Sequence, residues 1–164
     1  MSKFEVRELS QDEISIWNEL IDESPQGTPF IKSDWLRACS KTWKGDLKIF
    51  GCFRKGELVG GCALRVLKIG LFKRAAMSRM MTPYDGIILR PMLEHKVRKK
   101  EDFQKSVIDS LCEVLKQFSF VRLVNSPALV DVRPFVWRGW NTKIWYRYYL
   151  DLLNLKIDNF NKVF

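Results

Sequence analysis

Two stretches of the chain combine residue types that could hold or activate a ligand. From Asp131 to Leu150 the sequence reads DVRPFVWRGWNTKIWYRYYL. It contains three of the six tryptophans, Trp137, Trp140 and Trp145, together with Phe135, Tyr146, Tyr148 and Tyr149. Arg133, Arg138, Lys143 and Arg147 are interleaved with them. Cations beside aromatic faces suit an anionic or planar ligand. A guanidinium grips phosphate or carboxylate through two parallel hydrogen bonds, so Arg133 and Arg138 are the candidate anchors and Trp140 a candidate stacking surface. An aromatic core strand with solvated basic edges fits the same residues, and composition alone favours it. A local ion pair between Arg133 and Asp131 competes with the anchoring role.

The second stretch, Met81-Thr82-Pro83-Tyr84-Asp85-Gly86, sets a hydroxyl, a phenol and a carboxylate close together. A Pro/Gly turn in which Asp85 bonds its own backbone is the plain alternative. Two further cations sit near a helix start, Lys32 and Arg37, where backbone N–H groups favour an anion. Metal chemistry is not expected. The four cysteines, at positions 39, 52, 62 and 112, form no CxxC pair, and His95 is the sole histidine. A zinc site needs closely spaced thiolates or imidazoles, so these cysteines read as small buried hydrophobes. His95 sits in no nucleophile motif and receives no role.

The elements that must position these residues follow from periodicity. Residues 3–9 alternate apolar and polar and predict a strand. Ser10 opens a helix with Glu13 as the partner in a capping box, and Ile14, Trp17, Leu20 and Ile21 form its apolar face. Ser24-Pro25-Gln26-Gly27 stops it. A second helix is capped by Ser33, with Trp35, Leu36, Cys39 and Trp43 on one face. Residues 47–53 and 58–69 read as a strand pair around Arg54-Lys55-Gly56-Glu57. Gly60-Gly61 inside the second strand marks a bulge or a close backbone approach. Strands follow at 74–80 and 87–89. A helix over about 101–117 comes after the basic run Lys96, Arg98, Lys99 and Lys100, which reads as an approach loop. Phe120–Val124 is a strand ended by Asn125-Ser126-Pro127. Asp131 to Trp140 reads as a loop, with Pro134 holding Arg133 extended. Residues 143–152 read as a strand, and 157–164 as the beginning of a helix. The order is that of an α/β domain with a mixed sheet.

Length, charge and hydropathy bound the function classes. The 164 residues, 46% of them hydrophobic, suffice for one well-packed domain. The formal net charge is +9, unevenly spread: residues 5–23 carry seven acids against Arg7, while residues 58–84 carry five bases and no acid. A basic chain attracts polyanions, whether nucleic acid or nucleotide-linked substrates. No secretory signal or bilayer-length apolar run is present, which makes the cytoplasm the default compartment.

Three motifs carry a resemblance to a known family. Thr28-Pro29-Phe30-Ile31-Lys32-Ser33-Asp34-Trp35-Leu36, the loop TPYDGIILRP (Thr82 to Pro91), and DVRPFVWRGW followed by YRYYLDL (Asp131 to Leu152) resemble the N-terminal part of FemA/FemB-type proteins and BioF2-like acetyltransferase proteins of the GNAT superfamily. The resemblance implies an α/β, GNAT-like mixed sheet flanked by helices, one of two such subdomains. Residues 1–152 would be the N-terminal subdomain, and 153–164 the start of a connecting helix to a missing C-terminal subdomain. It implies acyl or aminoacyl transfer to an amine of the cell-wall or envelope-precursor type, from acyl-CoA or aminoacyl-tRNA, with the chain inactive alone. Acyl transfer requires an amine to lose a proton and a carbonyl oxygen to be stabilised. Asp85 is then the candidate base, and Tyr84 or Tyr148 the candidate proton donor. The implied ligand is an anionic small molecule or nucleotide-linked substrate, with tRNA a further partner. The sequence departs from the superfamily in having no Gln/Arg-x-x-Gly-x-Gly/Ala phosphate loop. Where cell-wall members often carry a lysine four residues after the matching tryptophan, it has Cys39, with Arg37 and Lys41 nearby. A non-catalytic module binding a polyanion, such as tRNA or a nucleotide-linked sugar, is the competing reading.

Overall fold

Alternating apolar and polar residues at the N-terminus give strand β1, Phe4–Glu8. The computed structural model describes residues 4–42, 44–70, 73–77, 83–93 and 96–146. The capping box forms as the sequence predicts: the Ser10 N–H donates to Glu13 Oε2 at 3.0 Å, and a 3-10 turn over Gln11–Glu13 leads into α1, Ile14–Glu23. A second 3-10 turn, Pro29–Ile31, precedes α2, Ser33–Ser40. Ser33 does not cap this helix. Lys32 occupies the cap position, and Ser33 is engaged by α1 instead: its N–H donates to Asn18 Oδ1 at 3.0 Å, and Asn18 Nδ2 donates to its hydroxyl at 2.9 Å. The helix pair is pinned again where the buried Trp17 indole N–H donates to the Ile31 carbonyl at 3.0 Å.

Strands β2, Asp46–Arg54, and β3, Glu57–Ile69, form a hairpin. Its turn places Lys55 and Gly56 at φ of 53° and 84°, the left-handed pair that matches strand twist in a two-residue hairpin. The register slips between Cys52 and Phe53: Cys52 faces Gly60 while Phe53 faces Leu58, so Val59 is the extra residue of a bulge. Gly61 is there because nothing larger fits. A Cβ on it would lie 2.5 Å from the Phe50 carbonyl oxygen and 2.9 Å from the Trp17 ring.

The remaining strands are β4, Lys73–Met77; β5, Ile88–Leu89; and β6, Phe120–Val121. They complete a six-stranded mixed sheet of order β1-β2-β3-β4-β6, with β5 also paired to β3. All pairings are antiparallel except that of β4 with β6. Helix α3, Val97–Leu115, packs on one face, and α1 with α2 on the other. Strand alternation divides the core accordingly. Ile49, Phe53, Ala63 and Ile88 join Trp17, Leu20 and Leu36, whereas Phe50, Cys52, Cys62 and Leu64 join Val107, Ile108, Leu111 and Leu115.

Several expectations need correction. Residues 133–137 form a helix, α4, rather than a loop. Pro134 lies in its first turn, where a missing N–H costs nothing, and Asp131 Oδ1 accepts the Arg133 N–H at 3.0 Å, so the start of the helix is satisfied locally. Helix α3 begins at Val97, so Arg98, Lys99 and Lys100 ride on its first turn rather than on a loop. Residues 143–146 carry no strand, and the strand at 120 stops at Val121. Four of the acids at residues 5–23, Glu8, Glu13, Asp22 and Glu23, pair with Lys48, Arg7, Lys32 and Arg90. The expectations for Trp43, 78–80, Thr82, His95, Tyr148, 147–152 and 157–164 fall outside the described residues. No helix among the described residues is long and apolar enough to cross a membrane.

Candidate active site

The sheet opens beside β5. On one side this strand pairs with β3, Leu89 opposite Gly60 and Ile88 opposite Gly61, and the Arg90 N–H donates to the Val59 carbonyl at 2.9 Å. Alternate N–H groups point the other way, toward residues 124–129. The Asp85 and Gly86 N–H groups both reach the Val124 carbonyl, at 3.0 and 2.9 Å. The Ile87 N–H reaches Asn125 Oδ1 at 3.0 Å, and the Leu89 N–H reaches Gln26 Oε1 at 3.1 Å. Pro91 has no N–H to offer. The gap therefore widens in steps, closed first by backbone, then by a side chain of the facing segment, then by a side chain from the turn after α1. At its apex the backbones nearly touch, for a Cβ on Gly86 would lie 2.7 Å from Asn125 Cα.

Gln26 bridges the wide end. Its Nε2 donates to the Ala128 carbonyl at 3.1 Å, and its Oε1 also accepts the Ser24 hydroxyl at 3.0 Å. Beside it lies a cavity of about 140 Å³ whose walls include Pro25, Leu89, Pro91, Lys100 and Phe103. Arg90 edges the same cavity, with its guanidinium bound to the Leu58 carbonyl at 2.8 Å and to Glu23. The mouth thus combines apolar walls, amide groups and the cation of Lys100. Asp85 stands at the apex, 1% exposed, and Tyr84 next to it is half-buried.

The other sequence candidates lie elsewhere. Arg133 bonds Asp131 at 2.8 Å and Glu101 of α3 at 2.9 Å, and its guanidinium lies 5.7 Å from the Trp137 ring centre. Arg138 bonds Asp109 at 2.8 Å and Glu113 at 3.3 Å, again on α3. Burial alone would push the Asp109 carboxyl up, but the hydrogen bonds from Arg138 and Lys105 outweigh it and hold it below its usual range. The Arg133 hydrogen bond likewise holds Asp131 down. The two arginines clamp α4 onto α3. Trp140 packs edge-on against buried Phe135, with ring centres 5.8 Å apart. On the opposite face, Lys32 pairs with Asp22, and Arg37 donates to Gln11 at 3.4 Å beside a smaller cavity of about 80 Å³. The candidates thus divide among three places, and only Tyr84 and Asp85 lie on the segment leading into β5, at the closed apex of the gap rather than among the residues that line the cavity. Sequence reasoning missed Gln26 and Asn125. Both lie in turns where Pro and Gly announced a stop, and nothing local distinguishes an amide that closes a sheet from one facing water.

No protein-family model matches the chain, and no curated protein matches it. Solved structures do. An acetyltransferase from Trypanosoma brucei is 15% identical, matched over 92% of this chain and 100% of its own, with a TM-score of 0.52. A ribosomal-protein-alanine N-acetyltransferase from Brucella melitensis is 15% identical over 92% of this chain and 100% of its own, with a TM-score of 0.49. A GNAT family acetyltransferase from Staphylococcus aureus is 13% identical over 91% and 100%, with a TM-score of 0.45. The chain has an α/β, GNAT-like acyl-CoA N-acyltransferase fold, as the sequence resemblance implied.

Proposed function

We propose that the chain serves acyl transfer from an acyl-CoA to an amine. The observation that carries this reading is the opening of a GNAT-like sheet at β5, with a cavity at its wide end and a buried carboxylate at its apex. The chemistry of the donor suits these groups. The arm of CoA carries secondary amides, and β5 carries the Leu89 N–H, which the Gln26 amide oxygen now holds. The apolar walls suit its methylenes, and Lys100 suits a phosphate. Attack on the thioester needs the amine deprotonated and the developing oxyanion stabilised. Asp85 is the base in this scheme and Tyr84 the proton donor. Lys32, Arg37, Arg133 and Arg138 meet an anionic acceptor only by giving up their present partners.

The finer reading, an amine acceptor of the cell-wall or envelope-precursor type with aminoacyl-tRNA as an alternative donor, rests on the FemA/FemB-type motifs. The polyanion-binding alternative rests on the net charge, the acid-free run 58–84 and the stretch 131–150, of which Arg133 and Arg138 are already paired with acids of α3. The test incubates the chain with radiolabelled acetyl-CoA or aminoacyl-tRNA and a panel of amines, including cell-wall peptide precursors. Label transfer that falls at least tenfold in Asp85→Asn supports the scheme. A chain that binds neither donor overturns it, and salt-sensitive RNA binding without transfer favours the alternative.

A further inference from the structure

The wide end of the opening is spanned by one side-chain amide whose two ends do different work. Gln26 Oε1 accepts from the Leu89 N–H at 3.1 Å, and Gln26 Nε2 donates to the Ala128 carbonyl at 3.1 Å. One acceptor and one donor, pointing to opposite sides, is what a single peptide unit of an intervening strand would present. The slot between β5 and residues 126–129 is therefore one amide wide and filled from within the chain.

Two features make this filling unlike an ordinary core contact. The amide comes from the turn after α1 rather than from either flanking segment, and Gln26, though only 7% exposed, lines the 140 Å³ cavity. Asn125, one step nearer the apex, is unlike it: that side chain belongs to the facing segment and lies where the backbones are in contact. A strand edge left with an unmet N–H recruits any extended amide chain, and a side chain that meets the N–H prevents this.

We propose that Gln26 is a displaceable latch: an extended ligand bearing a secondary amide binds by taking over the Leu89 N–H and the Ala128 carbonyl that the Gln26 amide holds. The proposal rests on the acyl-CoA reading above, which supplies such a ligand in the pantetheine arm of CoA. The latch keeps the slot closed in the absence of donor and lowers apparent donor affinity by the fraction of molecules that are open.

The experiment measures calorimetric binding of CoA, pantetheine and adenosine 3′,5′-bisphosphate to the wild-type chain and to Gln26→Ala. The first two ligands carry the amides and the third does not. Gln26→Ala should bind CoA and pantetheine about tenfold more tightly while leaving the bisphosphate unchanged. Unchanged or weaker CoA binding by the variant overturns the latch and leaves the acyl-CoA reading standing. Absence of CoA binding in both proteins overturns that reading and the latch with it. Should Gln26→Ala fold poorly, NMR on the wild type decides. Added pantetheine should shift the Leu89 amide and the Gln26 side-chain amide signals together. A bound complex in which the Gln26 signals stay fixed sinks the proposal.

Discussion

Replacing Phe135 by alanine and, separately, Arg138 by alanine separates the two forces that could hold α4 against α3. Phe135 is 2% exposed, joins the core beneath α3 and meets Trp140 edge-on at 5.8 Å. Removing a buried phenylalanine ring costs about 3–5 kcal/mol through lost transfer energy and the cavity left behind. For a domain of this size that is a fall in Tm of roughly 6–20 °C. Arg138 makes more contacts on paper, with Asp109 and Glu113, yet its side chain is 35% exposed and Glu113 is 59% exposed. Such pairs are screened by water and salt. Asp109 also keeps its bond to Lys105 at 2.6 Å when Arg138 is gone. Arg138→Ala should therefore lower Tm by less than about a third of the Phe135→Ala shift. The assay is urea and thermal unfolding of both variants at low and at high salt, with Trp fluorescence as the probe. Equal losses, or a Phe135→Ala loss that appears only at low salt, would refute the view that α4 docks through its apolar face.

Three further outcomes are expected. The hydrogen bond from Arg7, then that from the Ser10 N–H, pull the Glu13 carboxyl from 4.5 to about 2. A depressed carboxylate stabilises the fold above its unfolded pKa and ceases to do so as the pH falls through its folded value. The stability difference between wild type and Glu13→Gln should thus be full at pH 7, shrink below about pH 4.5 and vanish near pH 2, and a difference independent of pH would contradict it. Burial pushes the Cys52 and Cys112 thiols up to about 12, and Cys62 is buried as well. Ellman's reagent should accordingly titrate Cys39 in the native protein and all four thiols only in denaturant; fast reaction of two or more counts against this packing. Gly61→Ala should destabilise the fold by about 1–3 kcal/mol, because its methyl meets a backbone oxygen in the β2–β3 ladder rather than a movable side-chain tip. A neutral effect in urea melts would show that the ladder yields.

The parts of this fold that could be read from sequence are those governed by short-range rules. The capping box at Ser10 and Glu13, the hairpin turn at Lys55-Gly56, the bulge beside Gly60 and the apolar stripe of α3 each depend on residues within a turn or a strand of one another. The errors arose where a distant partner decided the outcome. Ser33 looks like a cap until Asn18 claims its N–H and hydroxyl. The stretch from Asp131 looks like a ligand surface until α3 supplies Glu101, Asp109 and Glu113 to its arginines. The basic run at 98–100 looks like a loop because its charge opposes the helix dipole, a cost of some tenths of a kcal/mol that the buried face of α3 easily overrides.

The same logic explains why the candidate site was the least legible part. A site assembled at a sheet opening is defined by which backbone groups fail to find backbone partners, and that is a property of topology rather than composition. Asp85 and Tyr84 drew notice as chemical types, but it is the 3.1 Å bonds of Gln26 to Leu89 and Ala128, across 63 and 102 residues of sequence, that mark where the sheet parts. Arginines and tryptophans advertise themselves in a sequence, and here the described arginines at 133 and 138 are paired with acids of α3. On the latch proposal the residue that governs access is a neutral glutamine in a Pro-Gln-Gly turn, not a cation of the aromatic-basic stretch.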